Sequence, residues 1–179
     1  DHMAIAPYPR HLVETGFLGD GTPLTIRPIR PEDAESEQAF VRGLSSETRR
    51  FRFMQSIKEL TPGLLVQFTQ IDYRREMALV AMTLEDGKEV QRGVARYVIN
   101  PDETSCEFAI VVGDEQRHRG IGTRLMNSLM SAARLHGLTS ITGEVLADNR
   151  AMLQLMKELG FVVRPVPDDT TIVVVEKWL

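Results

Sequence analysis

A chain of 179 residues with 42% hydrophobic composition can bury one full core, so a single domain is the default. A formal net charge of −4 and scattered Arg and Lys, apart from Arg49, Arg50 and Arg52, argue against a nucleic-acid binder. The lone Cys106 excludes an internal disulfide and suits a reducing cytoplasm, and neither a signal peptide nor an apolar run of roughly 20 residues is present, which argues against a membrane span.

Taken in chain order, Asp1-His2-Met3 reads as a vector remnant and residues 4–22 as an irregular lead-in with one short strand near Val13. The domain proper is expected over residues 23–179. Leu24-Thr25-Ile26-Arg27 predicts a strand. Pro31 suits the first turn of a helix whose Glu32, Asp33 and Glu35 oppose its dipole, running to about Gly43. Ser46 opens a second short helix through Phe53, and Thr61-Pro62 a third with Leu64, Leu65 and Phe68 at helical spacing. Residues 77–82 and 94–99 predict strands joined by a turn at Glu85-Asp86-Gly87-Lys88, and residues 106–112 another.

In residues 123–136, Leu125, Met126, Leu129, Met130 and Ala133 predict a helix closed by Gly137. A strand over 141–146 leads to Asn149, which caps a helix carrying Met152, Leu155, Met156 and Leu159 and ending at Gly160. Phe161-Val162-Val163 and Ile172-Val173-Val174-Val175 close the chain as a strand pair. The order indicates one mixed-sheet α/β domain, with no repeat, inner linker or metal-ligand spacing among the histidines.

Between the 106–112 strand and the following helix lies Arg117-His118-Arg119-Gly120-Ile121-Gly122. A basic, glycine-bearing loop opening a helix is an anion trap, because the first-turn N–H groups lack internal partners and the helix dipole adds positive charge. It lacks the lysine of a Walker loop, and Leu125 stands where a dinucleotide fingerprint needs its third glycine. The string instead fits [QR]-x-x-G-x-G/A and resembles the pyrophosphate loop of the GNAT N-acetyltransferase family, which binds acetyl-CoA. Leu146-Ala147-Asp148-Asn149 and Gly160-Phe161 match a second family segment, with eleven residues from Asn149 to Gly160. The resemblance runs from about Leu24 to the C-terminus. It implies an α/β (α+β) GNAT fold of about seven strands with about four to five helices.

The wording is similar to the C-terminal domain of bacterial protein lysine acetyltransferases in Leu24-Thr25-Ile26-Arg27-Pro28-Ile29-Arg30-Pro31-Glu32-Asp33, in Arg75-Glu76-Met77-Ala78-Leu79-Val80-Ala81, and in Gly143-Glu144-Val145-Leu146. That resemblance implies a domain excised from a longer chain, cut near Pro7-Tyr8-Pro9-Arg10-His11. It also implies lysine acetylation on metabolic enzymes such as acyl-CoA synthetases. The rival readings are an N-acetyltransferase of a small amine and a non-catalytic acetyl-CoA sensor.

A lysine amine near pKa 10.4 is at most about one part in a thousand neutral at pH 7, so transfer needs a proton acceptor. The resemblance assigns that role to Glu107, flanked by Cys106 and Phe108 with Ala109 and Val111 following on its face, a setting that suggests burial and hence a carboxyl shifted toward neutrality. Where many relatives carry a tyrosine that protonates the leaving thiolate, this chain has Met156. Cys106 points to the opposite strand face from Glu107, so no acetyl-cysteine is expected. The resemblance further implies cofactor contacts from Ile110, Val111 and Val112, with a backbone N–H near Val112 facing the oxyanion. It adds Arg117, His118, Arg119, Gly120, Ile121, Gly122 and Thr123 at the phosphates, and Asn149, Met152 and Met156 along the pantetheine arm. No metal is expected.

Overall fold

Alternating apolar stretches build one sheet of eight strands in the order β1-β2-β3-β4-β5-β6-β8-β7 in the computed structural model, which describes residues 7–116 and 118–179. Residues 1–6, which include the stretch read as a vector remnant, and Arg117 lie outside the described residues. The rest of the lead-in joins the sheet. After a 3-10 turn at Arg10–Leu12, β1 (Glu14–Phe17) pairs antiparallel with β2 (Pro23–Pro28) and adds an edge strand. With this edge strand the sheet has eight strands where about seven were expected.

A 3-10 turn at Pro31–Asp33 leads into α1 (Ala34–Gly43), followed by α2 (Ser46–Phe53) and α3 (Pro62–Thr69). The hairpin β3 (Glu76–Glu85) and β4 (Lys88–Ile99) runs into β5 (Ser105–Val112), all antiparallel. Next come α4 (Ile121–Leu135), β6 (Ser140–Leu146), α5 (Arg150–Glu158), β7 (Val162–Val166) and β8 (Asp169–Trp178). Helix α4 starts two residues earlier than its apolar spacing suggests. Gly120 takes the left-handed N-cap position at φ 79°, and Ile121 already inserts into the core at 1% exposure.

Period-two alternation along β5 divides the core. Cys106, Phe108 and Ile110 join the cluster under α4, with Leu125, Met126 and Leu129. Val111 joins a second cluster on the opposite face with Phe40, Val41, Leu60 and Val80. Helices α1 and α3 cover that second face. Helix α4 is held by its apolar stripe, whereas Thr48 is the only buried residue of α2. Helix α2 is tied down by polar contacts instead. Ser45 caps it through Thr48 N–H and bonds Asp114, and Arg49 donates to the carbonyls of Leu44 and Ile57.

Candidate active site

Strand β5 pairs with β4 as far as Val112 but with β6, in parallel, only from Ser105 to Glu107. Beyond the Glu107–Thr142 pair the two strands part, and β8 takes the far side of β6. The split opens a groove of about 500 Å³ whose floor includes residues 108–112 and whose other walls include Glu144, Val145 and α5. Along that edge the β5 backbone has no strand partner, so it can pair with an extended amide-bearing arm.

The groove ends at the start of α4. Among the described residues no side chain caps this helix, and the first intrahelical bond is from Arg124 N–H to the Gly120 carbonyl. The N–H groups ahead of Arg124 are left for an anion. Gly120, Ile121, Gly122, Thr123 and His118 all line the groove, His118 with its own φ at 65°. Gly122 is where the walls close in, since a Cβ there would stand 3.1 Å from Leu155 and 3.6 Å from Val112. Arg119 departs from expectation. Its guanidinium bonds Gln116 and pairs with Asp20 at 2.7 Å, so it ties the loop to the β1–β2 turn instead of lining the groove. Arg117 lies outside the described residues.

On α5, Asn149 caps the helix by accepting from Met152 N–H at 3.2 Å, and both residues line the groove. Met156 does not: it is fully buried in the α4-side core. Met152, one turn earlier on the same face, packs against that core and also reaches the groove. Ile110, Val111 and Val112 line the floor as expected.

Glu107 is exposed, contrary to the burial suggested by its neighbours, because alternation sends Cys106 and Phe108 to the opposite face. It stands at the last paired position before the split and faces the α1–α3 side. Cys106 is fully buried, and that burial pushes its thiol up to about 12. No thiolate is therefore at hand to act as a nucleophile.

Sequence reasoning missed several wall residues. Thr48, Phe51 and Arg52 of α2 line the groove, as do Phe108 and Glu144. The alternation Gly143-Glu144-Val145 was the available signal for Glu144. For α2 no local signal existed, since its contact with β5 arises from the tertiary fold. An ion pair from Arg50 to Asp148 at 2.7 Å joins α2 to the turn before α5 across the groove. Among the described residues no cluster of three or more His, Cys, Asp or Glu could hold a metal, and no helix is long and apolar enough to cross a membrane.

The acetyltransferase (GNAT) family model matches residues 44–161. An acetyltransferase of Pseudomonas aeruginosa is 42% identical over 164 residues, covering 92% of this chain and 87% of that protein. The acetyltransferase Pat of Mycolicibacterium smegmatis is 35% identical over 138 residues, covering 76% of this chain but only 40% of Pat. Among solved structures, the GNAT domain of S. lividans PAT superposes with a TM-score of 0.87 at 25% identity, covering 97% of this chain and 100% of that domain. With the split strands and the uncapped α4 start, these matches establish that the chain belongs to the GNAT family of acetyl-CoA-dependent N-acetyltransferases.

Proposed function

We propose that the chain transfers the acetyl group of acetyl-CoA to a lysine side chain of a protein, with metabolic enzymes such as acyl-CoA synthetases as substrates. The observation that carries this reading is the place of Glu107. A solvent-facing carboxylate stands where β5 and β6 part, on the face opposite the α4 core. The likeness to Pat proteins supports the substrate class.

In this reading the α4 N-terminus receives the pyrophosphate, the free edge of residues 108–112 pairs with the pantetheine amides, and Asn149 and Met152 flank that arm. Glu107 accepts the proton of the incoming lysine ammonium, and the neutral amine attacks the thioester carbonyl. The C–N bond forms as the C–S bond breaks. A backbone N–H near Val112 donates to the carbonyl oxygen as it gains charge. Met156 supplies no proton, being a buried thioether, so the sulfur departs as thiolate or is protonated by water.

Incubating the chain with radiolabelled acetyl-CoA and a purified acyl-CoA synthetase tests the proposal. Label on the protein, mapped to a lysine by mass spectrometry, is expected. Label passing only to small amines, or acetyl-CoA binding without transfer, overturns it.

A further inference from the structure

The face that receives the acceptor also holds two arginines that the reaction as described does not use. Arg96 of β4 pairs with Ala78 on one side and Ala109 on the other, so no large side chain flanks it within the sheet. Its guanidinium lies over the Phe68 ring, 4.2 Å from the centroid, with Nη1 3.4 Å from the Phe68 carbonyl oxygen. Nε and Nη2 are shut off from solvent and have no hydrogen-bond partner among the described residues.

Arg52 of α2, a groove-lining residue, stacks on the same ring at 5.8 Å and on Phe53 at 4.8 Å. Burial and the neighbouring Arg96 charge push Arg52 down to about 10, which leaves it a cation at neutral pH. Two acids act on Arg96 through space. Glu37 is buried at 2% exposure and accepts from Gln91 at 3.1 Å, while Glu76 is part-buried at the start of β3. Among the described residues neither comes within ion-pair distance of either guanidinium.

Partly buried cations without a contacting carboxylate are costly, and such arrangements concentrate where a ligand supplies the missing charge. A guanidinium fork matches the two oxygens of a carboxylate. The cofactor's phosphates are met elsewhere, at the α4 end of the groove.

We propose that Arg52 and Arg96 form a carboxylate site in the acceptor half, so that the acceptor presents an acidic group close to the amine that takes the acetyl group. Arg96 is the cross-strand partner of Ala109, which lies two residues beyond Glu107. A strand rises about 3.3 Å per residue and its neighbour lies about 4.8 Å away, which puts the two positions roughly 8 Å apart. That span suits a lysine with an acidic side chain beside it in sequence. The inference rests on Glu107 marking the amine position. The same carboxylate chemistry also belongs to the α-carboxylate of a free amino acid.

The test compares kcat/KM of the 179-residue chain on short blocked peptides holding one lysine flanked by aspartate or by asparagine. A free amino acid, methionine sulfone, and its carboxamide are run beside them. The aspartate peptide is expected to be better by about tenfold or more, the scale of one charge-assisted contact. In Arg96→Gln the ratio should fall to about one, while KM for acetyl-CoA stays within about twofold, and Arg96→Lys should restore part of the preference. A purely structural role for Arg96 would lower both peptides alike.

Equal use of the two peptides by the unaltered chain overturns the carboxylate site and leaves lysine acetylation standing. So does a ratio that survives Arg96→Gln, or an acetyl-CoA KM that rises instead. If both peptides fail while methionine sulfone is acetylated and its carboxamide is not, the carboxylate site stands and the protein-lysine reading falls.

Discussion

On the α4 face of the sheet, Cys106, Phe108 and Ile110 meet Ile121, Leu125 and Leu129, and every one of them is buried and apolar. On the other face the same strands present Glu76, Arg96 and Glu107, roofed in part by Phe68 and Arg52. The first face is a packed wall whose job is shape. It fixes the split between β5 and β6 and aims the α4 N-terminus, so that in the proposed mechanism the cofactor is met mainly by backbone. The second face is a set of charges whose energies depend on what they pair with, and it is the part of the molecule fitted to choose an acceptor.

The comparison can be broken at several points. The acceptor half leans on one internal ion pair: Arg27 donates to both oxygens of Asp33 at 2.7 Å, with the Arg30 N–H adding a third bond at 2.8 Å. Replacing Asp33 by Asn leaves the buried Arg27 guanidinium with only the part-exposed Glu89 carboxylate, at 3.4 Å, and should cost about 3 kcal/mol, read by urea denaturation. Burial raises the Asp33 carboxyl, but the bonds from Arg27 and Arg30 more than offset this and hold it below its ordinary value. A depressed carboxyl contributes fully above the unfolded value near 4, and its contribution is lost as pH falls through the folded one. Melting temperature should therefore drop below about pH 4, and more shallowly in Asp33→Asn.

The cofactor face should respond to volume and not to charge. A Cβ on Gly143 would stand 2.6 Å from the Phe108 ring, which already packs on Phe161 at 5.5 Å between centroids. Gly143→Ala should cost about 2 kcal/mol by overpacking, in the same denaturation measurement, without a pH dependence of its own. Asn149→Ala removes the α5 cap and should cost about 1 kcal/mol, together with a raised KM for acetyl-CoA in steady-state assays. Cys106→Ala should leave kcat within about twofold, since a fully buried thiol is not reactive. A large kcat loss there would make the apolar face chemical after all.

The same division decided what could be read from the chain. Gly120, Gly122 and Asn149 announce their roles locally, because a left-handed cap, a close approach and a helix cap are each set by a few adjacent residues. The apolar spacing of Leu125, Met126 and Leu129 foretold α4 for the same reason. The burial expected for Glu107 came from Cys106 and Phe108, which sit on the other face, and from Ala109 and Val111, which share its face without covering it. Met156 was core by its spacing and a groove residue only by its family position, and it is fully buried. Arg119 looked like a phosphate ligand because its partner Asp20 is ninety-nine residues away. Arg52 and Arg96 share Phe68 only after three elements have assembled, and no spacing in the chain encodes that meeting.

The central claim separates binding from turnover: the split strands and the α4 start hold acetyl-CoA, and Glu107 moves the proton. Glu107→Gln keeps the size of the side chain and removes the base, so acetyl-CoA affinity and turnover should be measured on the same preparation, by calorimetry and by acetyl transfer. The account predicts a dissociation constant within about twofold of the unaltered chain and a kcat lower by about a hundredfold or more. Unchanged turnover, or a loss of acetyl-CoA binding that matches the loss of turnover, would contradict it.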